Sequence, residues 1–310
     1  MPTSTPAIGA DIGGTHISAM TVDAKTGRSF PETHCRISYA HTDTADQILG
    51  SWASAIAQTL DRTTGAPAAG VGLAMPGPFD YRNGISNMQH KFGALYGLNI
   101  AVALRERLPA LQNMPIRFIN DATAFAMGEA WKGAGRGHSR VVVITLGTGF
   151  GSAFLENGVP VVRAPGVPPE GCLWHTPFRG EIAEEHFSTR WFVKTYRERT
   201  GITVDGVKPL MEKAGQDPVV QGLFTEFGHN LARCLSPWLQ SFDADILVIG
   251  GNISHAFPFF GTTFQQDLMA ENVRTAVAVS ALREEAAILG SVRLLDDAVW
   301  EKVSTDLPAI

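Results

Sequence analysis

Residues 7–22 read AIGADIGGTHISAMTV and residues 141–155 read VVVITLGTGFGSAFL. Each is an apolar run, a glycine-rich tip and a second apolar run. That is the pattern of a strand, a tight turn and an antiparallel partner. Ala7–Ile12 and Ile17–Val22 are predicted as one hairpin across Gly13-Gly14-Thr15-His16. Val141–Leu146 and Ser152–Leu155 are predicted as another across Gly147-Thr148-Gly149-Phe150-Gly151. The likeness of the two points to an internal duplication over two domains.

Outward from these hairpins, short β-rich runs alternate with helical patterns, the signature of an α/β protein. A helix is expected over about 44–60, where Ile48, Leu49, Trp52, Ile56 and Leu60 share one face. Gly70–Ala74 reads as a buried strand closed by Pro76-Gly77-Pro78, Ile100–Leu108 as a helix and Ile116–Ile119 as a strand. Ala122–Trp131 is again helical. Residues 159–180 are rich in Pro and Gly and read as a long functional loop. Helices follow over about 188–199 and 218–242, then the strand Ile246–Ile249 and further helical segments.

The chain has 310 residues, 45% hydrophobic and 18% charged, which suits a compact globule with more than one core. The formal net charge of -5, without a long basic run, argues against nucleic acid or an anionic membrane as partner. No apolar stretch approaches the roughly 20 residues of a membrane helix. The N-terminus lacks a basic segment followed by an apolar one, so no signal peptide is expected. Cys35, Cys172 and Cys234 are too far apart for a CxxC metal motif and odd in number. A reducing cytoplasm is the expected compartment.

Paired glycines at a hairpin tip let backbone amides approach a phosphate with no Cβ in the way. Asp11-Ile12-Gly13-Gly14-Thr15 and Gly147-Thr148-Gly149 both fit such a cradle, and both also fit an ordinary tight turn. An aspartate beside a phosphate cradle has a sensible role as a holder of Mg²⁺ through water. Ile246–Asn252 is a buried strand ending in Gly250-Gly251 before a helix, a junction that binds nucleotides in some proteins and serves only packing in others. Asn120-Asp121 closes a strand and opens a helix. Helix capping is the simpler reading there. The functional reading is a carboxylate at the carboxyl end of a strand, placed to take a proton from a hydroxyl as its oxygen attacks phosphorus.

Together these pieces resemble the actin-like ATPase superfamily, and more narrowly the ROK family of sugar kinases and related repressors. The matching stretches are DIGGT (11–15), PGP (76–78), INDATAFAMGEAWKGAG (119–135), ITLGTGFG (144–151), IGGNIS (249–254) and AAILGS (286–291). The resemblance implies two actin-like, ribonuclease H-like α/β domains with a ligand cleft between them. The N-terminal domain would span 1–118, completed by a helix from about 284 to 310. The nucleotide-binding domain would span 119–283. The implied activity is ATP-dependent phosphorylation of a sugar hydroxyl, with ATP and Mg²⁺ as cofactors, a sugar as partner and a homodimer as assembly.

Carried over residue by residue, Asp121 matches the general base. Gly77, Asn87, Asn120, Cys172, His175 and Glu184 match the sugar pocket. Asp11, Gly13, Gly14 and Thr15 match the first phosphate turn, with Asp11 holding the metal. Gly147, Thr148 and Gly149 match the second turn, and Gly250 and Gly251 the adenosine site. A pocket of acid, amide and imidazole suits a polyol, whose hydroxyls each donate once and accept twice.

The chain departs from the family pattern twice. The pocket sequence GExGH appears as Gly171-Cys-Leu-Trp-His175, so Cys172 stands where a glutamate is usual, either as a changed reader of the sugar or as packing. Glu170 and Glu181 are the nearby candidates to replace that glutamate. The zinc motif CxCGxxGCxE appears as His175-Thr-Pro-Phe-Arg-Gly-Glu-Ile-Ala-Glu-Glu185, with no cysteine, so no zinc is expected. The rival reading is a non-catalytic sugar-binding or regulatory member. The repressors carry a DNA-binding segment ahead of the first turn, and only ten residues precede Asp11 here. The sugar, its reacting hydroxyl and the choice between ATP and polyphosphate as donor stay open.

Overall fold

A computed structural model describes residues 5–89 and 91–307. The chain divides into two compact units. The first comprises residues up to Arg136, Gly158–Pro160, and residues from Glu284 onward; the second comprises Gly137–Asn157 and Val161–Arg283.

In the first unit, β1 (Pro6–Ile12) turns back through β2 (His16–Asp23) to β3 (Ser29–Ser38). Helix α1 (Ala45–Arg62) follows, then β4 (Val71–Met75), α2 (Ile100–Arg107), β5 (Ile116–Asn120) and α3 (Asp121–Lys132). The sheet order is β3-β2-β1-β4-β5. The hairpin pairs are antiparallel, and β1, β4 and β5 run parallel. Helix α1 starts where Thr44 and Gln47 form a reciprocal capping box, and it buries Ile48, Leu49, Trp52 and Ile56, the face expected from their spacing.

The second unit repeats the plan. Strands β6 (Arg140–Leu146) and β7 (Phe150–Glu156) form an antiparallel hairpin. After α4 (Thr189–Thr200) and α5 (Pro218–Ser241), β8 (Ile246–Gly250) joins β6 in parallel. Helix α6 (Phe257–Ala270) leads to β9 (Ala276–Val279), parallel to β8. The order β7-β6-β8-β9 therefore mirrors β2-β1-β4-β5. In both units a glycine tip joins the hairpin, and the strands that follow align their carboxyl ends with it.

The chain ends with α7 (Glu285–Arg293) and α8 (Asp297–Val303), which belong to the first unit. The division between units falls after Arg136, beyond the expected boundary at residue 118. The cause is α3, which follows β5 directly and packs against α7. Gly128 and Gly290 make that packing close: a Cβ on Gly128 would lie 1.9 Å from the Ala286 carbonyl oxygen, and one on Gly290 1.7 Å from that of Ala124.

Candidate active site

On the first unit, Asp11 lies near the end of β1, paired with Ala74 of β4, and Met75 of β4 pairs with Asn120 of β5. Asp11, Gly77, Asn120 and Asp121 thus gather at the carboxyl ends of three parallel strands, where α/β sheets bind ligands. Asn120, not Asp121, is the helix cap. Its Oδ1 accepts the Thr123 N–H at 3.1 Å, and its Nδ2 donates to the Tyr81 hydroxyl at 3.3 Å. Tyr81 in turn donates to the Met75 carbonyl at 3.0 Å, tying the end of β4 to the end of β5.

Asp121 is the first helical residue and half-buried, with Oδ1 accepting the Ala122 N–H at 2.8 Å. Burial raises its carboxyl above the usual range, against the lowering effect of the Ala122 hydrogen bond and the Lys91 charge. Asp11 is pushed up to about 7, first by burial and then by the charges of Asp121 and Glu284, with Arg36 opposing. Asn87 is exposed, and its backbone N–H donates to the Pro78 carbonyl at 3.1 Å, so it closes the loop that begins at Gly77.

The first glycine tip is gripped by Tyr39. Its hydroxyl lies 2.6 Å from the Gly13 carbonyl and 2.9 Å from that of His16, so its single proton serves either one. Its N–H donates to the Thr15 carbonyl at 2.9 Å. The ring stands in a cluster with Trp52 and Phe92, anchoring the tip to the core. Thr15 is exposed, and its hydroxyl meets His16 Nδ1 at 3.2 Å.

On the second unit, the tip Gly147–Gly149 is held from the start of α4. Thr189 donates to the Gly147 carbonyl twice, from its N–H at 2.8 Å and its hydroxyl at 2.9 Å. Phe150, just past the tip, is buried against Phe187. Gly251 has φ 79°, and a Cβ there would lie 2.3 Å from the Leu146 carbonyl oxygen, so only glycine fits beside the end of β6.

The loop expected to read the sugar folds onto this tip. The Ala183 N–H donates to the Thr176 carbonyl at 2.9 Å and the Glu184 N–H to that of Trp174 at 3.0 Å, which brings His175 and Glu184 side by side. His175 Nδ1 is buried and makes no hydrogen bond to protein, an orphaned polar atom of the kind a ligand satisfies. The Glu184 carboxylate accepts the Phe150 N–H at 3.2 Å and an Arg190 N–H at 2.8 Å. Cys172 is buried, its thiol donating to the Glu170 carbonyl at 3.4 Å. Of the candidates to replace the usual glutamate, Glu170 lies 3.8 Å from Arg163 and Glu181 lies 3.4 Å from His186 Nε2.

The segment matching the zinc motif, residues 175–185, carries one histidine, His175, and no cysteine. Pro177–Phe178 and Glu181–Ile182 pair as a small hairpin, with the Phe178 ring against His186 and Phe187.

Two glycine tips on duplicated sheets, with a carboxylate at the strand ends of the first, define the two-domain actin-like fold. The chain belongs to the ROK family, whose model matches residues 7–298. It is similar to the glucokinase of Thermotoga maritima, 29% identical over 94% of this chain and 98% of that one. It also resembles the N-acetyl-D-glucosamine kinase of Pectobacterium carotovorum, 26% identical over 80% and 84%. Among solved structures, the ROK hexokinase from Thermus thermophilus shares the fold, with a TM-score of 0.74, 20% identity, and coverage of 96% of this chain and 100% of that one.

Tyr39 and Thr189 escaped the sequence reading. Neither lies in a glycine motif, and each reaches its turn across more than twenty residues of chain. The only local signal was a hydroxyl-bearing residue at the edge of an apolar run.

Proposed function

We propose that this carbohydrate kinase of the ROK family transfers the terminal phosphoryl group of ATP to a hydroxyl of a hexose or hexose derivative, with Asp121 as general base. The observation that carries the reading is the division of labour at the start of α3. Asn120 caps the helix, so the half-buried carboxylate of Asp121 is not needed for the cap, and burial raises its basicity against the hydrogen bonds it accepts.

In this mechanism Asp121 accepts the proton of the sugar hydroxyl. The freed oxygen pair attacks the terminal phosphorus, the bond to the bridging oxygen breaks, and ADP leaves. General-base catalysis of this kind contributes about 10²–10⁴-fold. Amide N–H groups of the tips at Gly13–Thr15 and Gly147–Gly149 hold phosphate oxygens, and Gly250-Gly251 borders the adenosine. Asn87, Asn120, His175 and Glu184 bind sugar hydroxyls, with Gly77 and Cys172 in the loops that border them. The orphaned Nδ1 of His175 supports that role.

Asp11 suits a divalent cation. Its withdrawal from water, and then the charges of Asp121 and Glu284, lift it to about 7 against Arg36, and a cation relieves the charge these leave on the carboxylate. Asp11 would hold Mg²⁺ through water, and the ion would neutralise charge on the phosphate oxygens.

The names of the relatives suggest glucose and N-acetylglucosamine as first acceptors to try. The test is a coupled assay of ADP release over aldohexoses, ketoses and N-acetylated hexosamines, with polyphosphate as a parallel donor read by sugar-phosphate formation. Sugar-dependent ADP release supports the reading. Sugar binding without turnover on either donor would contradict it.

A further inference from the structure

We propose that Glu184 is a carboxylate latch on the second glycine turn, one that weakens nucleotide binding until a sugar engages the same carboxylate. The proposal rests on the reading of Gly147–Gly149 as a phosphate turn and deepens it.

Glu184 Oε2 accepts the Phe150 N–H at 3.2 Å. It also lies directly against the tip, since a Cβ on Gly149 would stand 2.8 Å from it. A carboxylate there occupies one amide at the edge of a phosphate cradle and sets a negative charge beside it. Both effects oppose a phosphate. Arg190 holds the other oxygen at 2.8 Å but also faces Glu185 at 3.0 Å. One guanidinium thus serves two carboxylates, and the group keeps a net negative charge.

The same residue belongs to the sugar loop. Its N–H is bonded to the Trp174 carbonyl, next to His175 and that residue's orphaned Nδ1. A carboxylate has about four lone-pair sites, so hydroxyl donors arriving at that loop draw its charge away from the turn. The Thr189 bonds to Gly147 keep the turn in place while Glu184 exchanges partners. Such a device favours ATP binding once the sugar is seated and limits wasteful hydrolysis before it.

Two variants separate a latch from a structural brace. Calorimetry with the magnesium complex of AMPPNP, without sugar, compares wild type, Glu184→Gln and Arg190→Gln. Glu184→Gln removes the charge at constant shape and should bind the analogue more tightly, on the order of tenfold, the scale of one charged hydrogen bond. Arg190→Gln leaves the carboxylates uncompensated and should bind it more weakly. Arg190 is more than half exposed, so its replacement spares the fold. Weaker or unchanged binding in Glu184→Gln, with wild type binding normally, overturns the latch and leaves the kinase reading intact. Absence of analogue binding in all three proteins overturns the phosphate-turn reading and the latch with it.

Discussion

Asn120 and Asp121 look interchangeable as a helix start, and the structure gives them different hydrogen-bond partners. The amide takes the cap and the tie to Tyr81, while the carboxylate is half-buried and accepts the Ala122 N–H. Asn120→Ala should therefore do two things. Loss of the cap should cost about 1 kcal/mol, seen as a lower Tm. The sugar-dependent kcat should also fall, because Asp121 loses the turn that orients it. A lower Tm with unchanged kcat would limit Asn120 to capping.

Asp11 gives a pH prediction. Its folded pKa of about 7 lies above the ordinary 3.8, so the folded chain binds the extra proton. Its contribution favours folding at low pH and is lost as pH rises through about 7. A cation competes with that proton, so apparent Mg²⁺ affinity should weaken as pH falls below about 7. Asp11→Asn should flatten the pH dependence of stability in that window. An Mg²⁺ titration repeated at several pH values reads the first effect, and denaturant melts read the second.

At the scale of elements, both glycine turns are positioned by hydroxyls from neighbouring chain. Tyr39→Phe removes the phenolic donor at the first turn, and Thr189→Val removes one of two donors at the second. Each should raise the KM for ATP several-fold while leaving the KM for sugar nearly unchanged. Equal effects on both substrates would argue for general destabilisation instead. The α3–α7 contact is less forgiving. Gly290→Ala would force a Cβ to within 1.7 Å of backbone oxygen, which no side-chain adjustment relieves. A large fall in soluble yield and Tm is expected, in the class of overpacked sites that cost about 1–3 kcal/mol or more.

At the scale of the whole molecule, the duplicated hairpin–parallel-strand plan was legible because glycine tips and apolar runs are local signals. Helix α1 was legible from its spacing, and α3, α4 and α5 from helical patterns between the β-rich runs. The strand β3 was not: Ser29–Ser38 is a polar edge strand, exposed at alternate positions, with Pro31 within it and a bulge opposite. The four-residue β9 is likewise only half-buried. The inclusion of α3 in the first unit could not be read locally because α3 packs against α7, which begins 149 residues after Arg136. The proposed site residues rest on motif resemblance, whereas the grips of Tyr39 and Thr189 depend on tertiary contact.

The central claim is that Asp121 is the base for phosphoryl transfer to a sugar. Its most direct test incubates wild type and Asp121→Asn with ATP, Mg²⁺ and the best acceptor from the sugar panel. Sugar phosphate is followed by mass spectrometry, and sugar binding by calorimetry. Wild type should form sugar phosphate, and the variant should bind the sugar about as well but form it at least ~10²-fold more slowly. Turnover of the variant within a few-fold of wild type would contradict the account.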